Sequence, residues 1–245
     1  MIRFDIITIF PNIFDSYIGE SLIARAIKKR LIKINAHNLR KWTTDNHQTV
    51  DGRPFGGGLG MVMMVEPIYK AIKAIQKIKN TPVHGCTGAR ERGNKPKTKV
   101  VLFTPRGESF NQKMAYKLAK LDQIIFICGR YEGVDERVAE NIADIKLSIG
   151  EYDLMGGELP AMIVIEAVSR LVPGVLGKEA LLKERITKNG GFVEYAQYTR
   201  PEIFLPKPGI GRKKSERKWK VPEVLLSGNH KKIEEWKTQH RKVIE

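Results

Sequence analysis

Through the first 150 residues, short apolar runs alternate with segments of helical period, and glycine-rich loops follow several of the runs. Ile2, Phe4, Ile6, Ile7 and Ile9 read as a buried strand closed by Pro11. Leu22, Ile23, Ala26 and Ile27 then recur at helical spacing ahead of the basic trio Lys28, Lys29 and Arg30, whose charge suits a helix C-terminus. Ile32 to Leu39 reads as a second strand. Ile68, Ile72 and Ile75 mark a helix and Val100 to Phe103 a strand, while Met114 and Leu118 share a helical face. Ile124 to Ile127 is strand-like, Val134 to Ile142 helical and Ile145 to Ile149 strand-like again. This rhythm predicts an α/β domain whose mostly parallel sheet is covered by helices on both faces.

Sheets of that kind bind ligands beyond the C-terminal ends of their strands. Three polar, glycine-bearing sequences fall there: Thr104-Pro105-Arg106-Gly107, Gly129-Arg130-Tyr131-Glu132-Gly133, and Gly150 through Gly157. Glycine admits close backbone approach and turns that a β-carbon forbids, so their coincidence predicts a site. It is not a dinucleotide fingerprint. Phe55-Gly56-Gly57-Gly58-Leu59-Gly60 lacks the required spacing, and the Gly177-Lys178 pair is followed by Glu179 rather than the hydroxyl residue of a P-loop.

Charge narrows the ligands. Forty-three Lys and Arg against 27 Asp and Glu leave a net +16, which points to a polyanion such as RNA, DNA or an acidic membrane face. No apolar run is long enough to span a bilayer, so no membrane partner is expected. The two cysteines, Cys86 and Cys128, exclude a disulfide framework and suit a reducing cytoplasm, and the spacing of the five histidines predicts no metal site. Residues 79–99 carry six basic residues and one acid without apolar periodicity, as in a mobile basic loop. From Pro206 onward twelve Lys or Arg face five acids, predicting a small basic C-terminal domain that holds Trp219 and Trp236, with Lys213, Lys214 and Arg217 as phosphate-contacting candidates.

Six phrases, in order, carry a resemblance: V-D-G-R-P-F-G-G-G-L-G-M-V-M at 50–63, C-G-R-Y-E-G-V-D-E-R-V at 128–138, S-I-G-E-Y-D-L-M-G-G-E-L-P-A at 148–161, S-R-L-V-P-G-V-L-G at 169–177, Y-T-R-P at 198–201 and V-L-L-S-G-N-H at 224–230. Together they resemble the bacterial tRNA (guanine-N1)-methyltransferases, the TrmD family of the SPOUT class. The resemblance implies a SPOUT-type parallel sheet with a deep trefoil knot plus a small, mainly helical C-terminal domain. It divides the chain into a methyltransferase domain at 1–176, a flexible linker at 177–196 and a tRNA-binding domain at 197–245. It implies a homodimer that transfers methyl from S-adenosylmethionine to N1 of guanine 37, beside the tRNA anticodon.

Residue by residue, the resemblance assigns the donor cradle to Thr104, Pro105 and Gly107, to Gly129, and to Ile149, Gly150, Glu151, Tyr152, Asp153, Leu154, Gly156 and Gly157. Glu132 matches the guanine-contacting carboxylate and Arg170 the arginine that stabilises charge on O6. Read alone, Glu132 is equally compatible with a surface pair to Arg130 or Arg137, and Arg170 with a solvated helix end. The family's linker aspartate, its base for N1, has no counterpart here, and Glu184 is the nearest carboxylate. Fifteen residues follow His230 where the family carries further helices, so weaker tRNA anchoring is expected. These departures leave two rival readings open: a SPOUT methyltransferase with a different target atom, and a catalytically weakened tRNA-binding protein.

Overall fold

The computed structural model describes residues 1–77, 96–177, 185–187, 189–206 and 218–244. Most of the expected basic loop at 79–99, Glu184 and the basic residues of 212–217 lie outside the described residues. The chain divides into two compact units, Met1–Leu182 and Lys183–Glu245.

The first unit is built on five parallel strands in the order β2-β1-β6-β5-β7. They are β1 (Ile2–Thr8), β2 (Ile32–Asn38), β5 (Thr98–Ser109), β6 (Gln123–Ile127) and β7 (Ile145–Ser148). The two-residue strands β3 (Asp51–Gly52) and β4 (Val62–Met63) pair apart from this sheet. Helices α1 (Asp15–Ile18), α2 (Ser21–Lys28), α3 (Val65–Lys77), α4 (Gln112–Leu118), α5 (Glu136–Asn141) and α6 (Glu158–Ser169) complete the unit.

Period-two alternation along buried strands produces two cores, one on each face of the sheet. Ile2, Phe4, Ile6, Ile124 and Phe126 pack with Ile23 and Ala26 of α2, Met114 and Leu118 of α4, and Val164, Ile165 and Val168 of α6. Ile7, Ile125 and Ile127 pack on the other side with Ile68, Ala71, Ile72 and Ile75 of α3 and Val138 and Ala139 of α5. Each fully buried side chain of this size contributes roughly 1.5–3 kcal/mol, which fixes strand register against slippage. The expected α/β architecture with a parallel central sheet is what the chain adopts.

One carboxylate interrupts the apolar pattern. Asp5, buried in mid-β1, accepts from His37 (2.8 Å), Asn35 (2.9 Å), Gln123 (2.5 Å) and Arg3 (2.5 Å). Burial raises its pKa, but hydrogen bonds from His37, Arg3 and Gln123 outweigh that and hold the carboxyl below the usual range.

The second unit departs from expectation. Its described residues are mixed rather than mainly helical: strands Phe192–Tyr195 and Arg241–Ile244 pair antiparallel, as do Ile203–Phe204 and Trp219–Lys220, beside helices Glu223–Leu226 and His230–Gln239. Within the expected 177–196 linker, Phe192–Tyr195, rich in strand-forming residues, pairs with Arg241–Ile244.

Candidate functional site

The loops that leave β5, β6 and β7 meet at one end of the sheet. In β5 the pairing with β7 is interrupted: Leu147 stands opposite both Phe103 and Glu108, and Thr104 to Gly107 bulge outward between them. The bulge closes at glycine of necessity. A β-carbon on Gly107 would lie 2.5 Å from the Leu147 amide nitrogen. Beyond β6, Cys128 is buried and the chain turns at once, with Tyr131 held at φ 58° and Gly133 at φ 116°. Beyond β7, the Ser148 hydroxyl donates to the Gly150 carbonyl (2.9 Å) and the Tyr152 hydroxyl to that of Ile149 (3.3 Å). The loop then returns across the floor of the site, where Gly157 N–H donates to Gly129 C=O (3.0 Å) immediately before α6 begins.

These loops enclose a cavity of about 500 Å³, within the range of small-molecule sites. Of the expected donor residues, Thr104 and Pro105 line it from the bulge and Gly129 from the β6 loop. Ile149, Gly150, Tyr152, Asp153, Leu154, Gly156 and Gly157 line it from the third loop, and Glu132 stands at its wall. Two of the expected donor residues stand outside this lining. Gly107 does not line the cavity, because it is the root of the bulge, pressed on the Lys146–Leu147 backbone. Glu151 also lies outside the lining, on an exposed part of the loop.

Arg170 is not brought to this cavity within its own chain. It is the exposed residue capping the C-terminus of α6, near Tyr116 of α4, whereas the cavity lies at the N-terminus of α6. Twelve helical residues at 1.5 Å each put about 18 Å between the two ends.

Sequence reasoning missed the charged pairs around the cavity. Arg106 Nη2 meets Glu136 Oε2 at 2.5 Å, joining the bulge to the start of α5. Arg130 pairs with Glu158 at 2.9 Å and Arg137 with Asp135 at 2.6 Å, so neither arginine neutralises Glu132. Among the described residues Glu132 makes no ion pair. It is held through its backbone, by Glu132 N–H to Met61 C=O (3.0 Å), and its side chain lies against Gly60, where a β-carbon would come within 2.6 Å of Cγ. The glycine run at 56–60 is thus part of this site, and it presents Phe55 and Leu59 at 100% and 95% exposure. Cys128, beneath the floor, takes no part as a nucleophile: burial, then the charge of Glu158, push its thiol pKa well up.

The cavity suits an amphipathic, charged ligand. Its lining carries the carboxylates Glu132, Glu136 and Asp153 and the cations Arg106, Arg130 and Lys146, while Leu154, Val134 and Pro160 supply apolar wall, and Gly129, Gly156 and Gly157 expose backbone for hydrogen bonding. A β-carbon on Gly157 would lie 2.7 Å from Cys128 Cα, so the floor is as thin as a chain permits.

Comparison with known proteins adds an independent line. The family model described as tRNA (Guanine-1)-methyltransferase TrmD matches residues 2–244. The tRNA (guanine-N(1)-)-methyltransferase of Ruminiclostridium cellulolyticum is 45% identical over 237 residues, covering 97% of this chain and 90% of that protein. That of Thermomicrobium roseum is 46% identical over 235 residues, covering 96% and 77%. The crystal structure of tRNA (m1G37) methyltransferase from Aquifex aeolicus superposes with a TM-score of 0.70 at 38% identity, over 98% of this chain and 88% of that one.

Proposed function

The chain belongs to the tRNA (guanine-1)-methyltransferase family TrmD, and from that premise we propose how its own residues carry the reaction. The enzyme transfers a methyl group to N1 of guanine 37 in tRNA. The observation that carries the reading is the glycine-walled cavity, with Glu132 at its edge free of any ion pair among the described residues, in a chain matched over residues 2–244 by the family model.

The cavity fits S-adenosylmethionine, which when bound supplies a methyl group on a sulfonium centre. Gly129, Gly156 and Gly157 present backbone to the adenosine part, Leu154 and Pro160 the apolar wall, and Asp153 with Glu132 the negative charge that favours a cation. Guanine N1 carries a proton and becomes nucleophilic only as that proton leaves, when negative charge grows on O6. Glu132 accepts hydrogen bonds from the guanine edge and fixes the base, Arg170 stabilises O6, and Glu184 accepts the N1 proton.

Because Arg170 lies a helix length from the cavity of its own chain, its role needs a second copy, and we read the enzyme as a homodimer. The outer face of α6 supports this: Leu159 and Ile163, at 55% and 44% exposure, share a helical face with Arg170. The trefoil knot of this reading rests on the family, and the close backbone contacts at Gly107 and Gly157 lie among the three loops it would involve. The basic second unit engages the tRNA phosphates, and the cytoplasm, where tRNA is abundant, is the site of action.

The test is transfer of labelled methyl from S-adenosylmethionine to unmodified tRNA with guanine at positions 36 and 37, followed by nucleoside analysis. Label in 1-methylguanosine at 37 is expected. Label on another atom, or tRNA binding without transfer, refutes the assignment.

A further inference from the structure

We propose that Glu158 is a positioning residue for methyl transfer: through Arg130 it locks the turn that aims Glu132. The proposal rests on the reading of Glu132 given above. Glu158 is the first residue of α6 and, at 1% exposure, among the few buried charged groups of the first unit. A carboxylate there is stabilised by the helix N-terminus, but burial demands partners for both oxygens. Both have them. Oε1 accepts from the Thr8 hydroxyl at 2.6 Å, and Thr8 Oγ1 in turn accepts from Phe10 N–H at 2.9 Å. Oε2 accepts from Nε and pairs with Nη2 of Arg130, each at 2.9 Å.

Arg130 gathers contacts from every side of the site. Its Nη1 donates to Met155 C=O (3.3 Å) in the loop after β7, and its guanidinium lies over the Phe10 ring at 4.9 Å. Gly156 is glycine because the pair occupies the space above it: a β-carbon would lie 2.3 Å from Arg130 Nε and 2.6 Å from Glu158 Oε2. The clamp therefore ties the end of β1, the β6 loop, the β7 loop and α6 to one buried carboxylate.

Its effect falls on the next two residues. Tyr131 sits at φ 58°, a left-handed conformation that a bulky side chain resists and that persists only where its surroundings impose it. The surroundings here are the clamp on one side and, on the other, Gly133 N–H to Arg130 C=O and Glu132 N–H to Met61 C=O, both 3.0 Å. With Arg130 released, the Tyr131 turn is free to relax and Glu132, which no ion pair among the described residues restrains, loses its aim. The donor floor is held separately, by Gly157 N–H to Gly129 C=O.

The test compares Glu158→Gln with Glu132→Gln in the full-length enzyme, using S-adenosylmethionine and unmodified tRNA. Glutamine keeps the shape and the Thr8 contact but removes the charge from Arg130. Single-turnover transfer per donor-binding site is expected to fall about 10–100-fold in Glu158→Gln, the effect of a misplacement near 1 Å, with a much smaller loss of donor affinity. Glu158→Asp, which keeps the charge, should recover part of the rate, and Glu158→Gln combined with Arg130→Lys should lose little more than the worse single variant, since both break one contact. A parental rate in Glu158→Gln, equal loss of rate and donor affinity, or additive losses with Arg130→Lys overturns the clamp. A parental rate in Glu132→Gln overturns the reading of the site itself. Should Glu158→Gln not fold, Thr8→Val, which removes only the hydroxyl fixing Oε1, is expected to slow the same step severalfold, and a parental rate there overturns the proposal equally.

Discussion

Replacing Gly157 by alanine tests the donor site at its narrowest point. The added carbon would stand 2.7 Å from Cys128 Cα, 3.1 Å from Gly129 N and 3.2 Å from Cys128 Cβ. Carbon atoms rest about 3.5–4.0 Å apart, so the loop must retreat by about 1 Å. The opposing atoms cannot yield instead, because Cys128 directly follows β6, which is paired on both sides by β1 and β5. Retreat also stretches the 3.0 Å bond from Gly157 N–H to Gly129 C=O. Overpacking of this kind costs about 1–3 kcal/mol and the weakened hydrogen bond up to about 1 more. For a unit of this size each kcal/mol shifts the melting midpoint by about 2–4 °C, so a fall of about 2–16 °C is expected by scanning calorimetry. Titration calorimetry with S-adenosylmethionine should show affinity lower by about tenfold or more, since about 1.4 kcal/mol is a factor of ten. Gly177→Ala, where nothing among the described residues lies within 4 Å and φ is unremarkable, serves as the control and should leave both quantities unchanged. A Gly157→Ala enzyme with the parental midpoint and donor affinity would refute the argument from close backbone approach and move the donor elsewhere.

Arg170→Ala should depress single-turnover transfer far more than tRNA affinity, and mixing it with Glu132→Gln should restore activity in heterodimers; inactive mixtures would return Arg170 to a role within its own chain. Glu184→Gln should lower the transfer rate on the order of 100-fold at unchanged donor affinity, as loss of a general base does, and a parental rate would remove Glu184 from the reaction. Asp5, its carboxyl held below the usual range, stabilises the fold fully above the ordinary carboxylate pKa of about 3.9, and that contribution is lost as pH falls through the lower folded value. Asp5→Asn should therefore melt lower at neutral pH yet lose less on acidification, and parallel pH–midpoint curves for the two proteins would contradict this.

How much of this was legible before the structure follows from the range of each interaction. Strands β1, β2, β5, β6 and β7 and helices α2 to α5 were readable because period-two and helical alternation are local properties of the chain. The three loops were readable as a site because a parallel sheet delivers its strand ends to one edge, and glycine marks where backbone must come close. The reason for each glycine was not readable: Gly107 serves the Leu147 backbone, Gly156 the Arg130–Glu158 pair and Gly157 the Cys128 backbone. The second unit misled because its short strands pair across gaps of many residues, as Phe192–Tyr195 does with Arg241–Ile244, and a four-residue segment carries too little pattern to declare itself.

The charges divide the same way. Sequence alone determined that the chain is a basic α/β protein with a glycine-built site, since composition and periodicity need no partner to be read. Only the tertiary structure decided that Arg130 turns to Glu158, 28 residues on, rather than to Glu132, and that Arg170 stands at the far end of α6 from the cavity. A side chain's partner is chosen by which strand ends the sheet order brings together and by the rise of the helix between them, and neither distance is written in the spacing of residues along the chain.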